Sequence, residues 1–128
     1  MVKSGMAEKR ILVTGSRELT DEQLVCRALY DHGIGRFTIV VGDCPTGADL
    51  FARNYSSIYG LPIEVFQADW DAFGKAAGPK RNQAMVDSGA NMCLAFIKVG
   101  AGNRGTLNCA GQARAAGVQV ITYTEGPR

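Results

Sequence analysis

Apolar residues in this chain fall into short uninterrupted runs, separated by stretches with helical spacing. Ile11-Leu12-Val13, Phe37-Thr38-Ile39-Val40-Val41 and Cys93-Leu94-Ala95-Phe96-Ile97 carry almost no polar alternation. Runs of this kind suit strands covered on both faces. Between them, Leu24, Val25, Ala28 and Leu29 mark one helical stripe, and Ala48, Phe51, Ala52, Tyr55 and Ile58 a second. The pattern predicts strands over 10–14, 37–41, 61–66, 91–97 and 118–123. It predicts helices from 20 to 32, 46 to 60, 78 to 88 and 104 to 116. Alternating strands and helices imply a single α/β domain, a Rossmann-like parallel sheet of about five strands with right-handed crossovers and helices on both faces.

Local punctuation refines these bounds. Thr20 with Gln23, and Thr46 with Asp49, read as helix-start caps. Gly33, Gly35, Gly60, Gly89 and Gly117 close helices. Pro79 suits a first helical turn. Residues 67–77, polar and irregular, read as a loop lining a ligand site. Residues 1–9 read as a mobile N-terminal tail, 10–124 as the domain and 125–128 as a short C-terminal tail.

Composition narrows the class. A chain of 128 residues with 46% hydrophobic and 20% charged residues is one ordinary globular domain. Its net charge of +2 argues against an extended polyanion clamp. The four cysteines form no C-x-x-C pair and there is one histidine, so no zinc site is expected. Cysteines in such a chain fit a reducing, cytoplasmic setting. Cys93 reads as a small core hydrophobe and His32 as a helix-end cation. No stretch has the length of an apolar membrane span, and the motifs imply no resident cofactor.

Three strand-to-helix junctions share a chemical style. They are Val13-Thr14-Gly15-Ser16-Arg17, Gly42-Asp43-Cys44-Pro45-Thr46-Gly47-Ala48-Asp49 and Gly102-Asn103-Arg104-Gly105-Thr106. In an open α/β sheet such junctions lie at the carboxyl ends of strands, where ligands bind. Glycine permits close backbone approach, and helix-start N–H groups attract anions. None is a Walker A loop or a G-x-G-x-x-G turn. Arg17 offers a guanidinium fork for phosphate, and Asp43 or Asp49 could accept ribose hydroxyls. Cys44 at a helix start could be reactive, although packing is the simpler role. Lys80 and Arg81 near a helix start oppose its dipole, which an anion bound there would offset. Asn82 follows in the same turn, and Lys75 lies close before it. Trp70 could stack on a base or cover the core edge. All three junctions are expected to converge on one pocket for a phosphate-bearing ligand.

Together with Ala68-Asp69-Trp70 to Lys75 and Gly78 to Met85, these motifs resemble the SLOG (Smf/DprA–LOG) superfamily, and most of all its small stand-alone YspA/YpsA-like branch. The resemblance runs from Arg10 to Tyr123. It implies a Rossmann-like fold that binds nucleotides or their derivatives, assembled as a homodimer or higher homo-oligomer. In the LOG phosphoribohydrolases, a Pro-Gly-Gly-x-Gly-Thr-x-x-Glu motif and an arginine cleave the bond between base and ribose 5′-monophosphate. Gly102, Gly105 and Thr106 match that motif, Asn103 replaces a glycine, and Cys109 stands where the catalytic glutamate belongs. Arg81, followed by Met85, resembles the catalytic arginine. Glycosidic cleavage needs a carboxylate, which here would come from Asp43, Asp49 or Asp69. Ligand binding as a sensor or sequestering module therefore ranks first and an N-glycosidase second. Single-stranded nucleic-acid binding, known from the DprA branch, ranks last; it would rest on Lys75, Lys80, Arg81 and Arg104.

Overall fold

The computed structural model describes residues 9–126. Five strands, β1 (Lys9–Gly15), β2 (Phe37–Gly42), β3 (Ile63–Phe66), β4 (Met92–Lys98) and β5 (Gln119–Glu125), form one sheet in the order β3-β2-β1-β4-β5. Every neighbouring pair is parallel. The helices are α1 (Glu22–His32), α2 (Gly47–Tyr59), α3 (Trp70–Phe73), α4 (Ala77–Asp87) and α5 (Arg104–Ala115), with a short 3₁₀ turn at Gly74–Ala76. The expected Rossmann-like α/β arrangement is borne out.

The apolar runs explain the layering. Side chains alternate across a strand, so Ile11, Val13, Ile39, Val41, Leu94 and Phe96 pack with Val25, Ala28 and Leu29 of α1 and Ala48, Ala52 and Tyr55 of α2. Leu12, Val40 and Cys93 face the other way, onto Met85 and Val86 of α4 and Cys109 and Ala113 of α5. The central strands β1, β2 and β4 are sealed on both sides. The edge strand β3 is only partly covered.

Several local expectations need correction. Thr20 does not cap α1. Asp21 does, its Oδ1 accepting from the Leu24 N–H at 3.2 Å. Thr46 precedes α2 without a side-chain cap bond, because its hydroxyl donates to the Arg17 carbonyl at 2.8 Å. Ile58 is 71% exposed and lies off the buried stripe of α2. The expected loop over 67–77 is confined to 67–69: Asp69 accepts from the Ala72 N–H at 3.0 Å and starts the helical turns over 70–77 that lead into α4. That helix begins at Ala77, ahead of Pro79. Lys9 lies in β1 and Glu125 in β5 rather than in tails. The rest of the expected N-terminal tail, together with Pro127 and Arg128, falls outside the described residues.

Glu125 shows why β5 extends so far. Its buried carboxylate accepts from the Thr20 N–H at 2.9 Å, the Thr20 hydroxyl at 2.7 Å and the Asp21 N–H at 2.9 Å, and it pairs with Lys98. Burial pushes this carboxyl up, but the bonds from Lys98, Thr20 and Asp21 outweigh it and hold the group at about 2. The network fastens the start of α1 to the ends of β4 and β5. A depressed carboxyl contributes stability above its unfolded pKa and loses it as pH falls toward the folded value. Glu125→Gln should therefore cost about 1.5–3 kcal/mol at pH 7. In urea titrations the gap to the parent protein should close between about pH 5 and pH 2. A gap that stays constant over that range would show that the carboxylate charge is not what stabilises this corner.

Candidate functional site

The strand order reverses between β1 and β4. Chain leaving β1 passes toward the α1–α2 face, and chain leaving β4 toward the α4–α5 face. A crevice opens between them at the carboxyl ends of the strands, the usual ligand position in open α/β sheets. A cleft of about 120 Å³ occupies it, lined by Thr14, Gly15, Ser16, Arg17, Gly42, Cys44, Asp49, Arg81, Asn82, Met85, Gly102, Gly105 and Thr106. All three glycine junctions thus border one hollow. A wider hollow of about 370 Å³ adjoins it, lined by Arg17, Asp43, Cys44, Pro45, Trp70 and Arg81. Arg17, Cys44 and Arg81 belong to both.

Arg81 is the centre of the site. It rises from α4, and its Nη1 donates to Asp43 Oδ1 at 2.9 Å and to the Phe66 carbonyl at 3.4 Å. Its Nε donates to Asn82 Oδ1 at 2.9 Å. The guanidinium passes directly over Gly42. A Cβ on that residue would stand 2.6 Å from Arg81 Nη1 and 2.9 Å from Asp49 Oδ2, so any side chain at the end of β2 would displace this guanidinium and carboxyl. The conflict between this cation and the start of α4 is offset within the protein, by Asp43. Asn82 is buried and serves as a brace: its amide donates to the Gly105 carbonyl at 3.3 Å and to Asn108 at 3.1 Å, joining α4 to α5.

Asp49 is buried in the first turn of α2 and accepts from the Cys44 N–H at 3.2 Å. Burial pushes its carboxyl up to about 6, against the pull of the Cys44 amide and of Arg81 and Arg53. Neither α2 nor α5 carries a side-chain cap bond. First-turn N–H groups of a helix lack intrahelical partners, and at α5 they belong to Gly105 and Thr106, on the wall of the cleft.

The remaining candidates take other positions. Thr46 and Gly47 tie the second junction to the first. Gly47 has φ of 69°, and a Cβ there would meet the Ser16 carbonyl oxygen at 2.2 Å. Asn103 folds back on its own loop, bonding Lys98 and Ala101. Lys75 and Arg104 are exposed and border neither hollow. Cys109 is fully buried beneath the cleft and packs in one cluster with Cys93. Its contact with Cys93, together with burial, keeps the Cys93 thiol protonated. His32 bonds the Tyr123 hydroxyl at 2.8 Å, far from any role in the cleft. Thr14, Met85 and Pro45 also line the hollows. Thr14 and Pro45 sit inside the glycine motifs, where position alone could have flagged them. Met85 closes the Gly78 to Met85 motif and follows Arg81, but an apolar side chain there carries no binding chemistry of its own.

Among the described residues no group of three or more His, Cys, Asp or Glu side chains could hold a metal ion, and no helix is long and apolar enough to cross a membrane. A family model described as "YspA, cpYpsA-related SLOG family" matches residues 9–73. The chain is also 36% identical over 126 residues to the Gene 61 protein of Mycobacterium phage D29, an alignment covering 93% of this chain and 99% of that protein.

The raised carboxyl sets a stability prediction. Between about pH 4 and pH 6, folded Asp49 keeps a proton that its unfolded counterpart, near 3.8, releases. Its contribution is therefore most favourable below about pH 4 and declines as pH rises through about 6. Asp49→Asn should raise the unfolding free energy by about 1–3 kcal/mol at pH 8 and by little at pH 4. Thermal melts at the two pH values measure this. An equal effect at both would mean that the carboxyl is not held protonated by its surroundings.

Proposed function

The chain belongs to the YspA, cpYpsA-related SLOG family, and on that premise we propose that its cleft binds a nucleotide or nucleotide-derived phosphate ligand, as a sensor or sequestering module. The convergence of three glycine-bearing junctions on Arg81 carries this reading. The first-turn amides of α5 supply donors for phosphate oxygens, the Arg81 guanidinium supplies charge, and Gly42 lets that charge stand against the sheet edge. The inner hollow is edged by backbone and polar groups, which suits a hydrated anion better than an apolar ligand. Family membership supports a nucleotide-related role in general. Assembly as a homo-oligomer remains part of the same proposal, on the family resemblance alone.

A ligand that binds only the folded state must raise apparent stability, by about 2.7 kcal/mol at a hundredfold excess over its Kd. Thermal melts of the full chain with a panel of nucleoside mono-, di- and triphosphates should show such a rise for at least one of them. Arg81→Ala should abolish that rise while its own unliganded melt stays cooperative. An unchanged ligand-induced rise in this variant would remove Arg81 from the site.

Asp49 favours one second reading, nucleotide N-glycosidase activity. A carboxyl near pH 6 beside an arginine can hold a proton for a leaving base or take one from water. It would replace the family's glutamate, whose place Cys109 fills with a buried thiol. Incubation with nucleoside 5′-monophosphates should then release free base, and Asp49→Asn should slow release by about 10²-fold or more. Intact substrate across the panel would leave binding alone.

A further inference from the structure

Helices α1 and α2 leave an aromatic surface on the side facing away from the sheet. Tyr30 is 74% exposed and Tyr59 64%, and both border a hollow of about 210 Å³ between the two helices, with Gln23, Cys26, Arg27 and Tyr55. Tyr55 is buried and supports Tyr59, their ring centroids 4.6 Å apart. Ile58, beside Tyr59 on α2, is 71% exposed. No lysine or glutamate enters the lining of this hollow. Tyrosine and arginine are enriched at the cores of protein interfaces, and lysine and glutamate are depleted there. At about 150–250 Å² for a whole aromatic side chain, Tyr30 and Tyr59 expose about 250 Å² between them. That is about a third of the ~800 Å² that each partner gives to a standard interface, before Ile58 and a polar rim are counted.

Charge selects the partner. Arg27 and Asp31 stand one turn apart on α1, both exposed. Among the described residues neither forms an ion pair, and cation before anion is the weaker order for a pair within one helix. A surface with one charge of each sign, placed evenly about a point level with Leu29, is complementary to itself, as a two-fold contact requires. We propose that a second copy of this chain docks here, two α1–α2 faces meeting about a two-fold axis, with Tyr30 and Tyr59 at the centre and Arg27 of each copy against Asp31 of the partner subunit. This contact gives a face to the homo-oligomer read above from family resemblance alone, and rests on that reading. It also stands clear of the cleft. Asp49 and Tyr59 lie at opposite ends of α2, roughly 15 Å apart along its axis at ~1.5 Å per residue. Neither Tyr30 nor Tyr59 borders the cleft or the hollow beside it. Each copy therefore keeps a whole cleft built from its own residues.

Sedimentation of the full chain over a concentration series reads the assembly directly. The parent should pass from its single-chain mass of 13.6 kDa to twice that mass as concentration rises, and its thermal melt should rise with concentration. Tyr30→Ser combined with Tyr59→Ser should stay at single-chain mass where the parent is a dimer, with a cooperative melt that no longer depends on concentration. Arg27→Asp sets like charges against one another at both ends of the contact and should weaken association about tenfold or more, whereas adding Asp31→Arg to the same chain should restore it to within about threefold of the parent. Equal association in the tyrosine variant would overturn this face while leaving the homo-oligomer reading in place. Association unmoved by Arg27→Asp, or not restored by the exchange, would overturn the pairing of Arg27 with Asp31 and with it the two-fold arrangement. A parent that stays at single-chain mass at every concentration would overturn both the face and the homo-oligomer.

Discussion

The main chain of two adjacent residues, Ser16 and Arg17, holds the cleft in shape. The Ser16 N–H donates to the Phe96 carbonyl at 3.0 Å, fastening the exit of β1 to β4. The Ser16 carbonyl accepts from Leu19 at 3.2 Å and from Ala48 at 3.3 Å, fastening the same exit to the start of α2. The Arg17 carbonyl accepts from Thr46. Gly47 must be glycine for this approach, both for its positive φ and for want of space beside Ser16. The first and second junctions are thus joined through main chain, and Asn82 joins the third to α4 through its amide. Backbone bonds of this kind leave little freedom to lose when a ligand arrives, which is the condition for a preformed site.

Charge in the cleft is balanced before any ligand enters. Arg81 stands among Asp43, Asp49 and the Phe66 carbonyl. A buried guanidinium without a partner would be strongly destabilising, so Asp43 has a structural role whatever the cleft binds. An incoming anion must compete with Asp43 for Arg81 and must also tolerate Asp49. A carboxylate ligand gains little from that exchange. A phosphate dianion carries more charge and more acceptor oxygens, and it can also use the first-turn amides of α5. On the proposed binding reading, protonation of Asp49, whose carboxyl burial pushes up to about 6, would remove a repulsive charge and add a donor.

What could be read from the chain followed a physical divide. Strand runs such as Phe37 to Val41 were legible because burial on both faces leaves no room for polar alternation. The glycine junctions were legible because few other residues permit such close approach. Helix caps were not, because Thr20 and Thr46 each found a stronger tertiary partner. The partner of Thr20, Glu125, lies 105 positions away. Residues 67–77 looked like a loop on composition, yet the Asp69 carboxylate supplies the bond that starts a helical turn. The pairing of Arg81 with Asp43 was equally hidden. Sequence shows a cation opposing a helix dipole, but not which of several carboxylates the fold will bring to it.

The buried thiol at Cys109 bears on how binding and cleavage separate in such a site. A glutamate at that position would have to enter a pocket shared with Cys93 and Thr14, beneath Arg81 and near Asp49. Two carboxylates there would repel one another, and one would be forced to stay protonated. The thiol avoids that cost and keeps the floor apolar, while Gly102, Gly105 and Thr106 still shape the start of α5. The features proposed to hold a phosphate therefore do not depend on the residue at 109. The only deeply buried carboxyl bordering the cleft is on the opposite wall, at Asp49, among the described residues. On the N-glycosidase reading the proton would come from the α2 side, so a cleft shaped for binding does not by itself imply the hydrolysis of the LOG branch.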